Sequence, residues 1–292
     1  MKHKIIAWIN GEWGIAESMH IPLSNRSLLL SDGIFETLLI INGNCQLLEE
    51  HIARWHYTAL VLGLEPPPCQ SELIDLLEAA INISDIRFFA LRLNWGRGQG
   101  MERGINFSNG EHFSLKDRFW ILISPIKLSF EPISAMISLY ERRNLTSRII
   151  QHKVLAYTQS IHARYEARQA GVDEALMVNA KGELTCGACS TLLVFDNQTW
   201  MTPAMSTGCL SGVMRNQSIQ LGLAKEQNLM PTQLLQTING LEGPAILINS
   251  LSCRPLSHLN GFKVIGSLPP EKAKAKAYEI FHLLNSINYY SL

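Results

Sequence analysis

The residues able to do chemistry in this chain stand in three stretches. Lys153 lies in QHKVLAY, and its amine, kept uncharged, can condense with an aldehyde. A polar turn-and-strand segment follows, NAKGELTCGACSTLLVF, and after it STGCLSGVMRNQSIQLG, a loop opening onto a helix whose first backbone N–H groups can take an anion. An amine, a turn with a strand, and an anion-binding helix start, in that order, are the parts needed to hold a phosphorylated aldehyde as an imine. Cys186 and Cys189 also form a C-x-x-C, which could be redox-active or half of a zinc site. The residues after Cys189 read as a strand rather than a thiol-activating helix, and no second ligand pair stands at similar spacing, so no metal is expected.

The elements that must position these residues alternate between strands and helices. KIIAWING and EWGIAES read as a strand pair joined at Asn10-Gly11, PLSNRSLLLSDG as a loop, and IFETLLIINGNCQLL as a hairpin with Asn42-Gly43 at its tip. LEEHIARWHYTALVLGL is helical, with Ile52, Trp55, His56 and Ala59 at i, i+3, i+4 and i+7, and it stops at EPPP. A helix over about 71–82, the strand RFFALRLNW, the loop GRGQGMERG and the strand RFWILIS complete a small N-terminal α/β domain, residues 1–124. A linker at 125–131 leads to a larger domain, 132–292. There AMISLY and SRII read as strands, and TQSIHARYEARQAG as a helix ending at Gly171. EALMVN and TLLVF follow as paired strands, then a helix after Gly212, the strands AILINS and CRPLSHLNG, and an amphipathic helix from about 270 to 286. AKAKAKA in that helix is a solvated face, not a basic patch.

Composition excludes several function classes. The 292 residues are 47% hydrophobic and 17% charged. That suits a globular chain of two domains, since single cores stop growing at roughly 250–300 residues. Lysine plus arginine and aspartate plus glutamate number 25 each, so no net field recruits nucleic acid or an anionic membrane, and a small-molecule substrate is expected. No stretch approaches the roughly 18–20 apolar residues that span a bilayer, and MKHKIIAWINGEWG turns polar too early for a signal peptide. A cytoplasmic location follows as an expectation. Six cysteines are too few for a disulfide scaffold in a chain of this length.

The blocks NRSLLLSDGIFETLL, LEEHIARW, HKVLAY, GVDEALMVNAKGELT, TPAMSTGCLSGVMR and INSLSCRP, spread over nearly the whole chain, resemble those of the fold-type IV pyridoxal-phosphate family. That family includes branched-chain aminotransferases, D-amino acid aminotransferases and 4-amino-4-deoxychorismate lyases. The resemblance implies an α/β fold of α+β type with two domains, a small α/β N-terminal one and a larger mixed β-barrel-like one with helices. It also implies pyridoxal 5'-phosphate as cofactor and a homodimer.

Residue by residue, the resemblance makes Lys153 the amine that forms the imine and afterwards moves the proton at the substrate α-carbon; an ordinary strand-end lysine is the alternative. Arg54 in EHIARW matches the arginine that grips the phosphate; it could instead be a surface arginine paired with Glu50. Gly212, Val213 and Met214 match the helix start that faces the phosphate, and Ser250 is a hydroxyl donor to it. Phe35 and Thr37, on alternate strand positions, point to the substrate side or belong to the core. Arg97 suits a substrate carboxylate or is a solvated loop residue.

Two positions depart from the family pattern. Cys186 stands where members have a glutamate that keeps the pyridine nitrogen protonated, and a thiol is a weak donor and a poor anion. Thr191 stands where asparagine is more usual. A weaker electron sink disfavours repeated proton shifts and is tolerated by loss of a β-leaving group. GVMR and the loop at 97–104 also resemble the lyase subgroup, so the expectation is a lyase giving 4-aminobenzoate and pyruvate from 4-amino-4-deoxychorismate. A branched-chain or D-amino acid aminotransferase is the alternative, a cofactor-binding protein without turnover a more distant one.

Overall fold

The structure, a computed structural model, describes residues 5–84, 86–99, 104–106, 117–196, 198–235, 244–264 and 266–285. It divides into two compact units, Met1–Lys127 with Lys153–Ala156, and Leu128–His152 with Tyr157–Leu292. The reactive-amine candidate thus belongs to the first unit although its neighbours in sequence, up to His152, belong to the second.

The first unit is built on a six-stranded antiparallel sheet of order β2-β1-β6-β5-β3-β4. Its strands are β1 (Ile6–Ile9), β2 (Glu12–Ile15), β3 (Gly33–Ile41), β4 (Asn44–Cys45), β5 (Phe88–Gly96) and β6 (Phe119–Pro125). Positive φ at Asn10 (53°) and Gly11 (92°), and again at Asn42 (48°) and Gly43 (78°), gives the two-residue turns that these pairs predict. Strand alternation sends Ile34, Leu38 and Ile40 of β3, Leu91, Leu93 and Trp95 of β5, and Phe119, Ile121 and Ile123 of β6 into one core. Helices α2 (Leu48–Val61) and α3 (Gln70–Ser84) cover that face with Trp55, Ala59, Leu73, Leu77 and Ala80. Each large side chain so buried stabilises the unit by about 1.5–3 kcal/mol.

Two expectations need correction here. The stretch read as the loop PLSNRSLLLSDG contains a short helix, α1 (Arg26–Leu30). Asn25 caps it by accepting from the Ser27 N–H at 2.8 Å, and Ser31 ends it at φ 55°. Leu28, Leu29 and Leu30 are all exposed, so no apolar periodicity marked it. In α2 the buried face is His51, Trp55, Thr58 and Ala59, with His51 in place of His56.

The second unit carries a nine-stranded mixed sheet of order β12-β11-β10-β13-β14-β7-β8-β9, with β15 paired to β14. The strands are β7 (Ile133–Arg143), β8 (Glu174–Asn179), β9 (Leu184–Gly187), β10 (Thr191–Phe195), β11 (Trp200–Pro203), β12 (Ala224–Gln227), β13 (Ala245–Asn249), β14 (Ser252–Leu259) and β15 (Phe262–Lys263). At one end of the order, β9 packs against β10 and β11 near the other, so the sheet curls around Leu184, Leu192, Val194 and Leu247. Helices α4 (Thr158–Gln169), α5 (Val213–Gln220), α6 (Thr232–Leu235) and α7 (Pro270–Leu284) complete it.

EALMVN and TLLVF are not paired with each other: β8 pairs with β7 and β9, and β10 with β11 and β13. SRII is a 3-10 turn (Arg148–Gln151), not a strand. Its backbone bonds are local, Ile150 N–H to Ser147 O and His152 N–H to Ile149 O, and Arg143 holds it by donating to the Ile150 carbonyl. The last helix ends at Leu284, and position 286 lies outside the described residues.

Candidate active site

In the first unit, Lys153 is held beside the start of β3. The Phe35 N–H donates to the Lys153 carbonyl at 3.1 Å and the Leu155 N–H to the Gly33 carbonyl at 2.9 Å. This close pairing requires glycine: a Cβ on Gly33 would lie 2.7 Å from both Leu155 Cδ1 and the Trp95 carbonyl oxygen. Lys153 Nζ stands 4.3 Å from the Phe35 ring centroid and the Arg92 guanidinium carbon 3.7 Å from the same point. Thr37 is opposite Arg92, and Phe35 opposite Asn94, across β3 and β5.

Arg54 is fixed by an acid that the sequence reading did not consider. Glu36, 1% exposed, accepts from Arg54 Nε at 2.7 Å and Nη2 at 2.5 Å, and His51 Nδ1 lies 2.7 Å from the same carboxylate. Glu50 is not its partner in this fork. Burial alone would raise the Glu36 pKa, but the charge of Arg54 and the hydrogen bonds from His51 and Arg54 outweigh it and bring the carboxyl to about 2. Burial lowers the His51 pKa, opposed by Glu36 and reinforced by the charges of Arg54 and Lys153. The ring is therefore neutral at neutral pH, with Nδ1–H donated to the carboxylate. An acid inside the apolar run IFETLL, with a histidine and an arginine at i and i+3 of the next helix, was the signal available for this cluster.

Arg97 is engaged as a clamp. Its Nε donates to Asp32 at 2.9 Å, Nη1 to the Gly63 carbonyl at 2.7 Å and Nη2 to the Leu62 carbonyl at 3.2 Å. Of the loop at 97–104 that carries it, residues 100–103 lie outside the described residues.

In the second unit, Cys186 is buried on β9 among Ala163, Ala167, Ala175, Met177, Ala188 and Cys209. The Thr185 hydroxyl, which donates to the Met177 carbonyl at 2.9 Å, lies 3.7 Å from its sulfur. The turn after it closes by Gly187 N–H to Ser190 O at 2.8 Å, and Asn249 ties that turn to the end of β13 by donating to the Cys189 carbonyl at 3.1 Å. Cys189 is exposed, and its thiol contacts Glu174 Oε2 at 3.6 Å beside the Arg164–Glu174 ion pair. All six cysteines are free, and among the described residues no three His, Cys, Asp or Glu groups converge as a metal site.

The start of α5 is buried and has no side-chain cap. Val213 is 4% exposed and Met214 2%. A Cβ on Gly212 would come within 2.9 Å of Thr191 Oγ1, so the glycine and the threonine hydroxyl are in close approach there. Thr191 is opposite Ile248 in the β10–β13 register, which places Ser250, in the turn just past β13, at the same end of the sheet. Gly212 and Thr191 are thus brought together with Ser250 at the same end of the sheet, while Cys186 lies on β9. A helix N-terminus without a cap carries about half a positive charge and unsatisfied N–H donors, which fits a phosphate dianion. Within the first unit, the Lys153 amine fits an aldehyde and the Arg54 guanidinium an anion.

The fold is that of solved fold-type IV aminotransferases. The branched-chain amino acid aminotransferase of Escherichia coli superposes with a TM-score of 0.79, covering 97% of this chain and 95% of that one at 20% identity. A Legionella pneumophila protein described as "Putative 4-amino-4-deoxychorismate lyase" superposes at 0.75, covering 90% and 96% at 18% identity. In sequence, a Methanocaldococcus jannaschii protein named "Putative branched-chain-amino-acid aminotransferase" is 27% identical over 235 residues, 80% of each chain. The family model "Amino-transferase class IV" matches residues 33–277, and this chain belongs to that family. It is accordingly a pyridoxal-phosphate-dependent enzyme. Among its described residues, no helix is long and apolar enough to cross a membrane.

Proposed function

We propose that the enzyme is a lyase that converts 4-amino-4-deoxychorismate to 4-aminobenzoate and pyruvate. The observation that carries this reading is Cys186, a thiol buried on β9 among apolar side chains where the resemblance leads one to expect a carboxylate. When bound, pyridoxal phosphate supplies an aldehyde for an amine and a ring that withdraws electrons. In the first unit, Lys153 provides the amine and takes the proton from the ring carbon bearing the substrate nitrogen, while Arg54, held rigid by Glu36, binds phosphate oxygens. In the second unit, the N–H groups of Val213 and Met214, the close backbone at Gly212 and the Ser250 hydroxyl suit a phosphate. Loss of the enolpyruvyl group as pyruvate leaves an aromatic ring, a driving force that lets a thiol suffice in place of a carboxylate. The active species is a homodimer in this reading, checked by its mass in solution.

Transamination of a branched-chain or D-amino acid is the second reading, supported by the likeness to the E. coli and M. jannaschii aminotransferases. The two separate in one experiment. Purified protein loaded with pyridoxal phosphate is given 4-amino-4-deoxychorismate, or L-valine or D-alanine with 2-oxoglutarate. Release of 4-aminobenzoate with negligible glutamate formation supports the lyase; the reverse supports the aminotransferase. Borohydride reduction is expected to label Lys153 and to label nothing in Lys153→Ala. A label on another lysine removes both readings.

A further inference from the structure

Glu36 is an acid sealed inside an apolar strand of the first unit, and side chains of α2 converge on it. Arg54 meets it side-on, with Nε on Oε1 at 2.7 Å and Nη2 on Oε2 at 2.5 Å, and His51 Nδ1 reaches Oε2 at 2.7 Å. His51 and Arg54 stand at i and i+3 of α2, so both leave the helix on one face and arrive at the same carboxylate. The acid balances the charge of the arginine. A neutral imidazole then adds a donor without adding a charge.

Ion pairing alone does not account for that donor. A guanidinium bound side-on swings with its carboxylate about the last torsion of the glutamate, which is broad and soft. The His51 Nδ1–H, on a short side chain as buried as the acid itself, removes that freedom. With Oε2 held from a second direction, the plane of the carboxylate is fixed, and with it the plane of the Arg54 fork. An arginine that grips phosphate oxygens in pairs depends on that plane as well as on its charge. The charges of Arg54 and Lys153 both bear on His51, so the histidine belongs to the same charged cluster as the reactive amine.

We propose that His51 is a positioning residue for the cofactor phosphate. Through Glu36 it sets the orientation of the Arg54 guanidinium, and so the preference of the site for a phosphorylated aldehyde over the same aldehyde without its phosphate. The proposal rests on Arg54 being a phosphate ligand, and it adds a residue that acts on the phosphate only through two others.

The test titrates apoenzyme with pyridoxal phosphate and with pyridoxal, followed by absorbance, in wild type, His51→Leu, His51→Asn, His51→Gln and Arg54→Met. The readout is the ratio of the two affinities, which a general loosening of the fold does not move, because both aldehydes need the same lysine. His51→Leu is expected to lower the ratio by roughly 10-fold, as loss of a hydrogen bond to a charged group does. His51→Asn, whose amide nitrogen stands where Nδ1 does, restores most of the ratio, and His51→Gln, whose amide lies one bond further out, does not. In the wild type, the Nδ1–H proton resonance of His51 is expected to shift when pyridoxal phosphate binds and to shift less with pyridoxal; this arm needs no variant and decides the matter if the variants fail to fold. An unchanged ratio in His51→Leu, equal rescue by Asn and Gln, or equal proton shifts with both aldehydes overturns the proposal. Failure of the underlying reading shows separately, as a wild-type ratio in Arg54→Met.

Discussion

At the scale of single residues, Cys186 is one of the two positions at which this chain departs from the pattern its resemblance implies, and its surroundings make a sharp experiment. The thiol sits among alanines, Met177 and Cys209, with the Thr185 hydroxyl as a weak partner. Glutamate at this place brings a longer, charged side chain into an apolar cluster, at a cost of roughly 1–3 kcal/mol if nothing pairs with it. If position 186 faces the pyridine nitrogen, the cofactor supplies that partner. Cys186→Glu is therefore expected to have a lower Tm than wild type without pyridoxal phosphate and a larger rise in Tm on its addition. It should also gain transamination relative to 4-aminobenzoate release. An equal cofactor-induced rise in both proteins means that residue 186 does not contact the ring.

At the scale of elements, Lys153 depends on how tightly Lys153–Ala156 lies against β3, and Gly33 sets that distance. Gly33→Ala forces a Cβ against Leu155 Cδ1 and the Trp95 carbonyl, both 2.7 Å away. A methyl can push a leucine aside but not a strand carbonyl, so β3 must part from β5 or from the lysine segment. A loss of about 1–3 kcal/mol is expected, as overpacking costs in cores, together with a lower rate of borohydride-trappable cofactor loading. Unchanged denaturant midpoint and loading would show that the segment has slack. The strands around this seam were legible because β3 and β5 are near-continuous apolar runs, β6 alternates, and an asparagine-glycine turn ends β3. Less legible were elements held by single capping or tethering residues. Asn25 makes a helix of RSLLL, and Arg143 pins SRII into a 3-10 turn, without either segment showing periodicity. The candidate site residues come from block order, which names Arg54 but says nothing of Glu36, because strand-to-helix partners are set by register. Register emerges only when the whole sheet is assembled.

At the scale of the whole molecule, acid should act unevenly on the two units: the first encloses Glu36 with His51 as a pair, whereas in the second burial lowers the pKa of His152 and His282 and two ion pairs are half exposed. Glu36 has a folded pKa of about 2 against an ordinary 4.5, and His51 a folded value below its ordinary 6.5. In both cases the unfolded chain binds more protons, so stability rises with pH. The His51 contribution is complete above 6.5 and is lost as pH falls through its folded value; the Glu36 contribution is complete above 4.5 and is lost as pH falls towards 2. In the second unit, Arg164 and Glu226 of the ion pairs with Glu174 and Arg215 are 50% and 45% exposed, and such pairs are screened and contribute little. Hydrogen exchange, corrected for the intrinsic pH dependence, should show β3 and α2 losing protection between pH 7 and pH 4 before β13 and β14 do. Glu36→Gln removes the Glu36 charge from the buried Arg54. It is expected to cost about 3–5 kcal/mol at pH 7 and to flatten the acid slope below pH 4.5, measured by urea unfolding across that range. Earlier loss of protection in β13 and β14, or an unaltered slope in Glu36→Gln, would place the acid-sensitive charge elsewhere in the molecule.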